Sequence, residues 1–269
     1  MARANRHYDY IPGCIWHITH RCHKQEFLFK FIKDRQRWVH WLFEAKKRYG
    51  LCILNYTVTS NHIHLLVHDT GNDVIPKSIQ LIAGRTGQEF NQRKSRKGAF
   101  WEDRYHAVAV QSGEHFLRCL IYIDLNMVRV GVVKHPSEWP FCGYNEIMNP
   151  PKRYGIIHQE TLLEKSGAVN KRTLLQSYNE WLNESLSNGG HQRTAMWTEA
   201  IAVGNENFIE TIKEKLGFKA KGRNIDERDG AFTLKEPRQA YNTVFAPEMG
   251  FLRQKNMHFW DILPNNSTS

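Results

Sequence analysis

Cysteine is scarce and badly spaced for structural duty. The five residues Cys14, Cys22, Cys52, Cys119 and Cys142 are scattered and odd in number, with no Cys-x-x-Cys pair. That excludes a zinc knuckle and a disulfide framework. Long apolar runs are missing too. No stretch reaches the ~18 residues of a membrane-crossing helix. The opening Met-Ala-Arg-Ala-Asn-Arg is basic and lacks the apolar segment of a secretory signal. The expectation is a cytoplasmic protein with no membrane partner. Internal repeats are absent. Acidic residues are in deficit, 27 against 37 Lys and Arg, for a formal net charge of +10.

What is present fits one large domain or a domain with an appendage: 269 residues, 41% of them hydrophobic. The charge is uneven. Residues 1–150 hold 21 Lys and Arg against 13 Asp and Glu, while residues 151–269 hold 16 against 14. Eleven of the 14 histidines also lie in the first part. A basic domain with a nearly neutral appendage points to a polyanion, most often nucleic acid.

Residue patterning predicts a strand over 14–20, a helix over 33–49 ending at Gly50, strands over 51–58 and 62–68, a helix over 75–92 and a strand over 105–110. A helix over 113–130 follows, with Ser112 as its N-cap and Gly131 as its stop. The order β-α-β-β-α-β-α predicts an α+β fold, an antiparallel sheet with helices on one face, of ferredoxin-like type. Pro136, Pro140, Pro150 and Pro151 place a domain boundary near residue 150. Beyond it, helices are expected over 159–166, 171–186, 195–203 and 206–216. A basic, broken segment at 217–240 and a disordered tail after 262 complete a mainly helical extension.

The segment Ser60-Asn61-His62-Ile63-His64-Leu65-Leu66-Val67 sets two histidines on one face of a strand. Their spacing is about 6.5–7 Å, since a strand rises ~3.3 Å per residue. Two imidazoles on one rigid element can grip one divalent ion. His68 shares that face but lies about 13 Å from His64, too far to share the ion. The helix at 113–130 buries Phe116, Leu117, Leu120, Ile121, Met127 and Val128. Its other face carries Arg118, Tyr122, Asn126 and Arg129, at spacings of four, four and three. That face reads as a nucleophilic Tyr122, phosphate contacts from Arg118 and Arg129, and Asn126 as an oxygen ligand.

Between these elements, Asn91-Gln92-Arg93-Lys94-Ser95-Arg96-Lys97-Gly98 carries four positive charges and no acid. Phe100, Trp101, Arg104, Tyr105 and His106 follow. Cations interleaved with aromatics suit single-stranded nucleic acid, phosphates meeting Arg and Lys while bases stack on rings. The candidate DNA contacts are Arg93, Lys94, Arg96, Lys97, Trp101, Arg104, His106, Arg118 and Arg129.

Together these residues resemble a known family. Asn-His-Ile-His-Leu-Leu-Val at 61–67 looks like a His-hydrophobe-His (HUH) motif. Tyr-Ile-Asp-Leu-Asn-Met-Val-Arg-Val-Gly-Val-Val at 122–133 is similar to the signature Tyr-Ile-x-x-Asn-Pro-Val-Arg-Ala-Gly-Leu-Val. Phe-Trp-Glu-Asp-Arg-Tyr-His at 100–106 and Trp139-Pro140-Phe141 resemble two further elements of the same family. It is the single-tyrosine HUH transposase family of bacterial insertion sequences, most like its REP-associated branch. The resemblance covers about residues 8–147. Met127 and Cys142 depart from it, standing where the family has Pro and Ser.

The resemblance implies a metal-dependent endonuclease and strand transferase that cuts single-stranded DNA beside a hairpin. Tyr122 would form a 5′-phosphotyrosine link, with His62, His64 and Asn126 holding the ion. Imidazole plus oxygen ligands suit Mn²⁺ well and Mg²⁺ acceptably. A tyrosine, with an ordinary pKa near ~10, needs a neighbouring cation to act at neutral pH. Asp124 lies about 200° around the helix from Tyr122 and is not selected. The family contains both monomers and homodimers. Two other readings stay open: a non-catalytic nucleic-acid-binding regulator using the same basic face, and a replication initiator or relaxase with related chemistry.

Overall fold

The computed structural model describes residues 10–187, 194–217, 223–228 and 230–235. Its spine is a seven-stranded sheet. The first four strands are β1 (Ile15–Arg21), β2 (Cys52–Val58), β3 (His62–His68) and β4 (His106–Val110), lying in the order β2-β3-β1-β4 with each adjacent pair among them antiparallel. Four helices accompany them: α1 (Ile32–Tyr49), α2 (Val74–Arg93), α3 (Glu114–Asp124) and α4 (Asn126–Arg129). Every predicted element through residue 124 is present, with ends shifted by a residue or two. Gly50 closes α1 in the left-handed conformation, φ 71°.

The α+β class is as expected, and the helices cover both faces of the sheet rather than one. Trp38 of α1 lies 6.2 Å from Tyr56 on one face of β2. The neighbouring Thr57 points the opposite way and donates to the Ile123 carbonyl of α3. All of β2 and the centre of β3 are buried. Strands apolar on both faces need cover on both.

Two helix details also differ from expectation. Gly113, at φ 77°, takes the N-cap of α3 in place of Ser112, and no side chain caps it. The single helix expected over 113–130 is broken at Leu125, whose ψ of 0° leaves α3 and α4 as separate pieces.

The chain beyond residue 150 extends the same sheet. After α5 (Tyr144–Met148) come α6 (Gln159–Ser166) and α7 (Lys171–Ser187), close to their predicted limits. The helix expected over 195–203 stops early: α8 (Met196–Glu199) passes straight into strand β5 (Ala200–Gly204), which runs parallel to β4. Pairing with an open sheet edge outweighs the helical preference of an alanine-containing window. After α9 (Glu206–Leu216), β6 (Asn224–Arg228) and β7 (Ala231–Lys235) form an antiparallel pair inside the segment read as broken. The sequence signal there is Asp229-Gly230 between two short strand-like runs. The extension is therefore helical and stranded. The tail after 262 lies outside the described residues. Among the described residues, no helix is long and apolar enough to cross a membrane.

Candidate active site

The candidate site sits where β1, β3, α3, α4 and α8 meet. On the antiparallel pair β1/β3, Thr19 lies opposite His64 and His17 opposite Leu66. Directly paired residues share a face, so Thr19, His64 and His17 line one surface under α3. The rings of His62 and His64 are 5.0 Å apart, and that of Tyr122 is 5.8 Å from His64. His64 Nε2 lies 2.8 Å from the Asn126 side-chain nitrogen. The histidine strand and the tyrosine helix, 58 residues apart from His64 to Tyr122, thus converge. His68 stays at the far end of β3, opposite Ile15 and Cys52.

His62 is oriented locally. Its Nδ1 is 2.7 Å from Asn61 Oδ1 and 3.0 Å from Thr59 Oγ1. An amide oxygen only accepts, so Nδ1 is the donor to Asn61. Among the described residues, no three His, Cys, Asp or Glu side chains converge on a metal-sized space. A cation here would need an amide oxygen beside the two imidazoles. Asn126, whose side-chain nitrogen contacts His64, also carries one.

The polar face read around Tyr122 is not solvent-facing. Tyr122 and Asn126 are both 7% exposed. Trp197 of α8 lies 6.1 Å from the Tyr122 ring, ring to ring, and His17 6.0 Å. Arg129 covers another side, its guanidinium carbon 4.2 Å from the ring centroid. Its Nη2 also donates to the Tyr122 carbonyl at 2.6 Å, where the helix breaks. Arg118, one turn earlier, is 4.0 Å from Glu114.

Asp124 does point away from the histidines. It is buried against β2 and α7, where Asn55 Nδ2 donates to one oxygen at 3.1 Å and the Tyr178 hydroxyl to the other. Burial pushes its carboxyl up to about 7, against the pull of those two donors.

Residues 10–125 match the family model "Transposase IS200 like". This part of the chain is similar to IS200-like transposases. Two solved structures are similar to this chain. One is a REP-associated tyrosine transposase bound to a REP hairpin, with 23% identity and a TM-score of 0.46 over 56% of this chain and 87% of that one. The other is a putative transposase from Deinococcus radiodurans R1, with 17% identity and a TM-score of 0.32 over 40% of this chain and 85% of that one. A search of curated proteins gives no match.

The basic segment divides into anchored and exposed groups. Arg93 pairs with the buried Asp34 of α1. Arg96 donates to the Ala99 carbonyl at 2.8 Å and reaches Glu26 at 3.4 Å. Trp101 stacks on His20 at 3.9 Å and donates to the Ala83 carbonyl. His106 donates to the Ala200 carbonyl at 2.9 Å, tying β4 to β5. Lys94, Lys97 and Arg104 are exposed. Sequence reasoning passed over His17, Thr19 and Trp197. His17 and Thr19 alternate onto one face of the predicted first strand, but which strand pairs with it is not a local property.

Proposed function

We propose that this protein is a transposase that cuts and rejoins single-stranded DNA next to a hairpin through a phosphotyrosine intermediate, as members of the REP-associated branch it resembles are expected to do. The observation that carries the reading is the meeting of Tyr122, His64 and Asn126 at one point in the fold. His62, His64 and Asn126 would hold a divalent cation, Mn²⁺ or Mg²⁺, after the Asn126 amide turns to offer its oxygen. The ion would withdraw charge from a scissile phosphate.

Tyr122 Oη attacks the phosphorus, a P–Oη bond forms and the P–O3′ bond breaks. The tyrosine gives up its proton, and the departing strand leaves as a free 3′-OH after taking one up. The new ester conserves the phosphodiester energy, so rejoining needs no nucleotide cofactor. Arg129 fixes the Tyr122 ring and sets a positive charge beside it. Lys94, Lys97, Arg104 and Arg118 supply sequence-independent phosphate contacts, while Arg93, Arg96, Trp101 and His106 hold the surface that presents them.

The test is a labelled, hairpin-bearing single strand incubated with Mn²⁺ and resolved on a denaturing gel. The wild type should give a protein–DNA adduct and Tyr122→Phe none. An adduct that persists in the variant rules Tyr122 out.

A further inference from the structure

His17 links the candidate metal centre to the C-terminal extension. It is fully buried at the middle of β1, and its ring stacks on His64 at 5.0 Å with 20° between planes. Its Nδ1 is 2.8 Å from the backbone carbonyl of Trp197. Its Nε2 is 2.9 Å from His64 Nδ1. Both rings are buried, and a hydrogen bond between two ring nitrogens needs one proton between them.

The direction of this chain of contacts follows from its fixed end. A backbone carbonyl can only accept, so His17 carries its proton on Nδ1. Its Nε2 is then a lone pair and can only accept. His64 must therefore carry its proton on Nδ1 and donate it to His17. Thr19 Oγ1, 3.4 Å from the same nitrogen, lies close enough to share that proton. His64 Nε2 is left unprotonated, facing Asn126, whose amide N–H donates to it at 2.8 Å. The nitrogen that a cation would require is bare because of a carbonyl 133 residues further along the chain.

We propose that His17 is a positioning residue that holds His64 in its Nδ1–H tautomer, with Nε2 unprotonated towards Asn126, and that the Trp197 carbonyl sets the sense of this relay. The extension is then a working part of the metal centre. This rests on the reading of His64 as a metal ligand. Partners of this kind fix the tautomer and ring orientation of ligating histidines, and their loss typically weakens metal binding about 10–100-fold.

The experiment uses full-length, metal-free protein with ¹⁵N-labelled histidine. Two-bond proton–nitrogen correlations report which His64 nitrogen is protonated, the resonance being assigned with His64→Gln. A separate Mn²⁺ titration follows binding by electron paramagnetic resonance. The wild type should show His64 protonated on Nδ1. His17→Gln, whose side-chain oxygen can still accept from His64, should keep that tautomer and most of the Mn²⁺ affinity. His17→Leu should lose the tautomer preference and bind Mn²⁺ at least about tenfold more weakly. Protonation of His64 on Nε2 in the wild type overturns the relay, as does a His17→Leu protein with unchanged tautomer and affinity. The wild-type spectrum alone decides the tautomer if His17→Leu does not fold. Absence of Mn²⁺ binding by a wild type with the expected tautomer overturns the metal reading and leaves the relay standing.

Discussion

Arg129 holds Tyr122 twice. Its guanidinium carbon sits 4.2 Å from the ring centroid, and its Nη2 donates to the tyrosine's own carbonyl at 2.6 Å. One cation thus fixes both the backbone and the ring of the proposed nucleophile. Arg129→Ala should lower the rate of adduct formation on hairpin DNA by at least about tenfold, since a small misplacement of a reacting group costs 10²-fold or so. Arg129→Lys should rescue it poorly, because an ammonium lacks the planar fork. Single-turnover adduct rates measure this, and rates equal to wild type would remove Arg129 from the proposal.

His64→Ala should bind hairpin DNA as the wild type does and form no adduct. Chelation of divalent metal should abolish adduct formation by the wild type, and added Mn²⁺ or Mg²⁺ should restore it. Gel shifts and denaturing gels on the same samples separate binding from chemistry. Undiminished cleavage by His64→Ala would sink the metal role.

The basic segment makes a sharper test than its charge alone. Arg93→Ala breaks an ion pair with the buried Asp34 and should cost about 1–3 kcal/mol of stability. Lys94→Ala and Lys97→Ala alter exposed side chains and should leave stability within about 0.5 kcal/mol. They should weaken DNA binding and reduce its dependence on log salt by about one unit per lost phosphate contact. Urea unfolding and salt-series binding isotherms read the two effects. A stability loss in the lysine variants as large as in Arg93→Ala would contradict the division.

Acid should destabilise the protein partly through His20. Burial against Trp101 pushes its imidazole down to about 4, from 6.5. Between those values the unfolded chain binds more protons than the folded one. The stability this group confers is complete above pH 6.5 and is lost as pH falls towards 4, about 3 kcal/mol at most. His17, held near 3, acts with the same sign. Urea midpoints measured from pH 7 to pH 4.5 should fall, and His20→Gln should fall less steeply. An identical slope in the variant would place the acid sensitivity elsewhere.

Tyr178→Phe should cost about 1–3 kcal/mol, because it removes a donor from the buried Asp124 carboxyl and leaves that oxygen unsatisfied. Thermal or urea unfolding checks it, and a neutral outcome would show that the contact carries no net energy.

Local patterning carried most of the first 124 residues. The i, i+3, i+4 stripe of Trp38, Trp41, Leu42 and Ala45 and the alternation of β3 are period signals written in neighbouring residues. Where long-range pairing competed with propensity, the local reading went astray. Residues 200–204 became a strand because the edge of β4 offered unsatisfied backbone partners, and no nearby residue announces that.

The site divides in the same way. The His62/His64 spacing and the Arg118-Tyr122-Asn126-Arg129 series are properties of single elements, so the sequence by itself determined the chemistry available on each. Only the tertiary structure decided that β3 and α3 face each other, that Trp197 shields Tyr122 from solvent, and that His17 lies between Trp197 and His64. The physical reason is that a tautomer depends on which acceptor sits beside a ring nitrogen. That acceptor comes from strand pairing and helix packing across more than a hundred residues, beyond the reach of any local pattern.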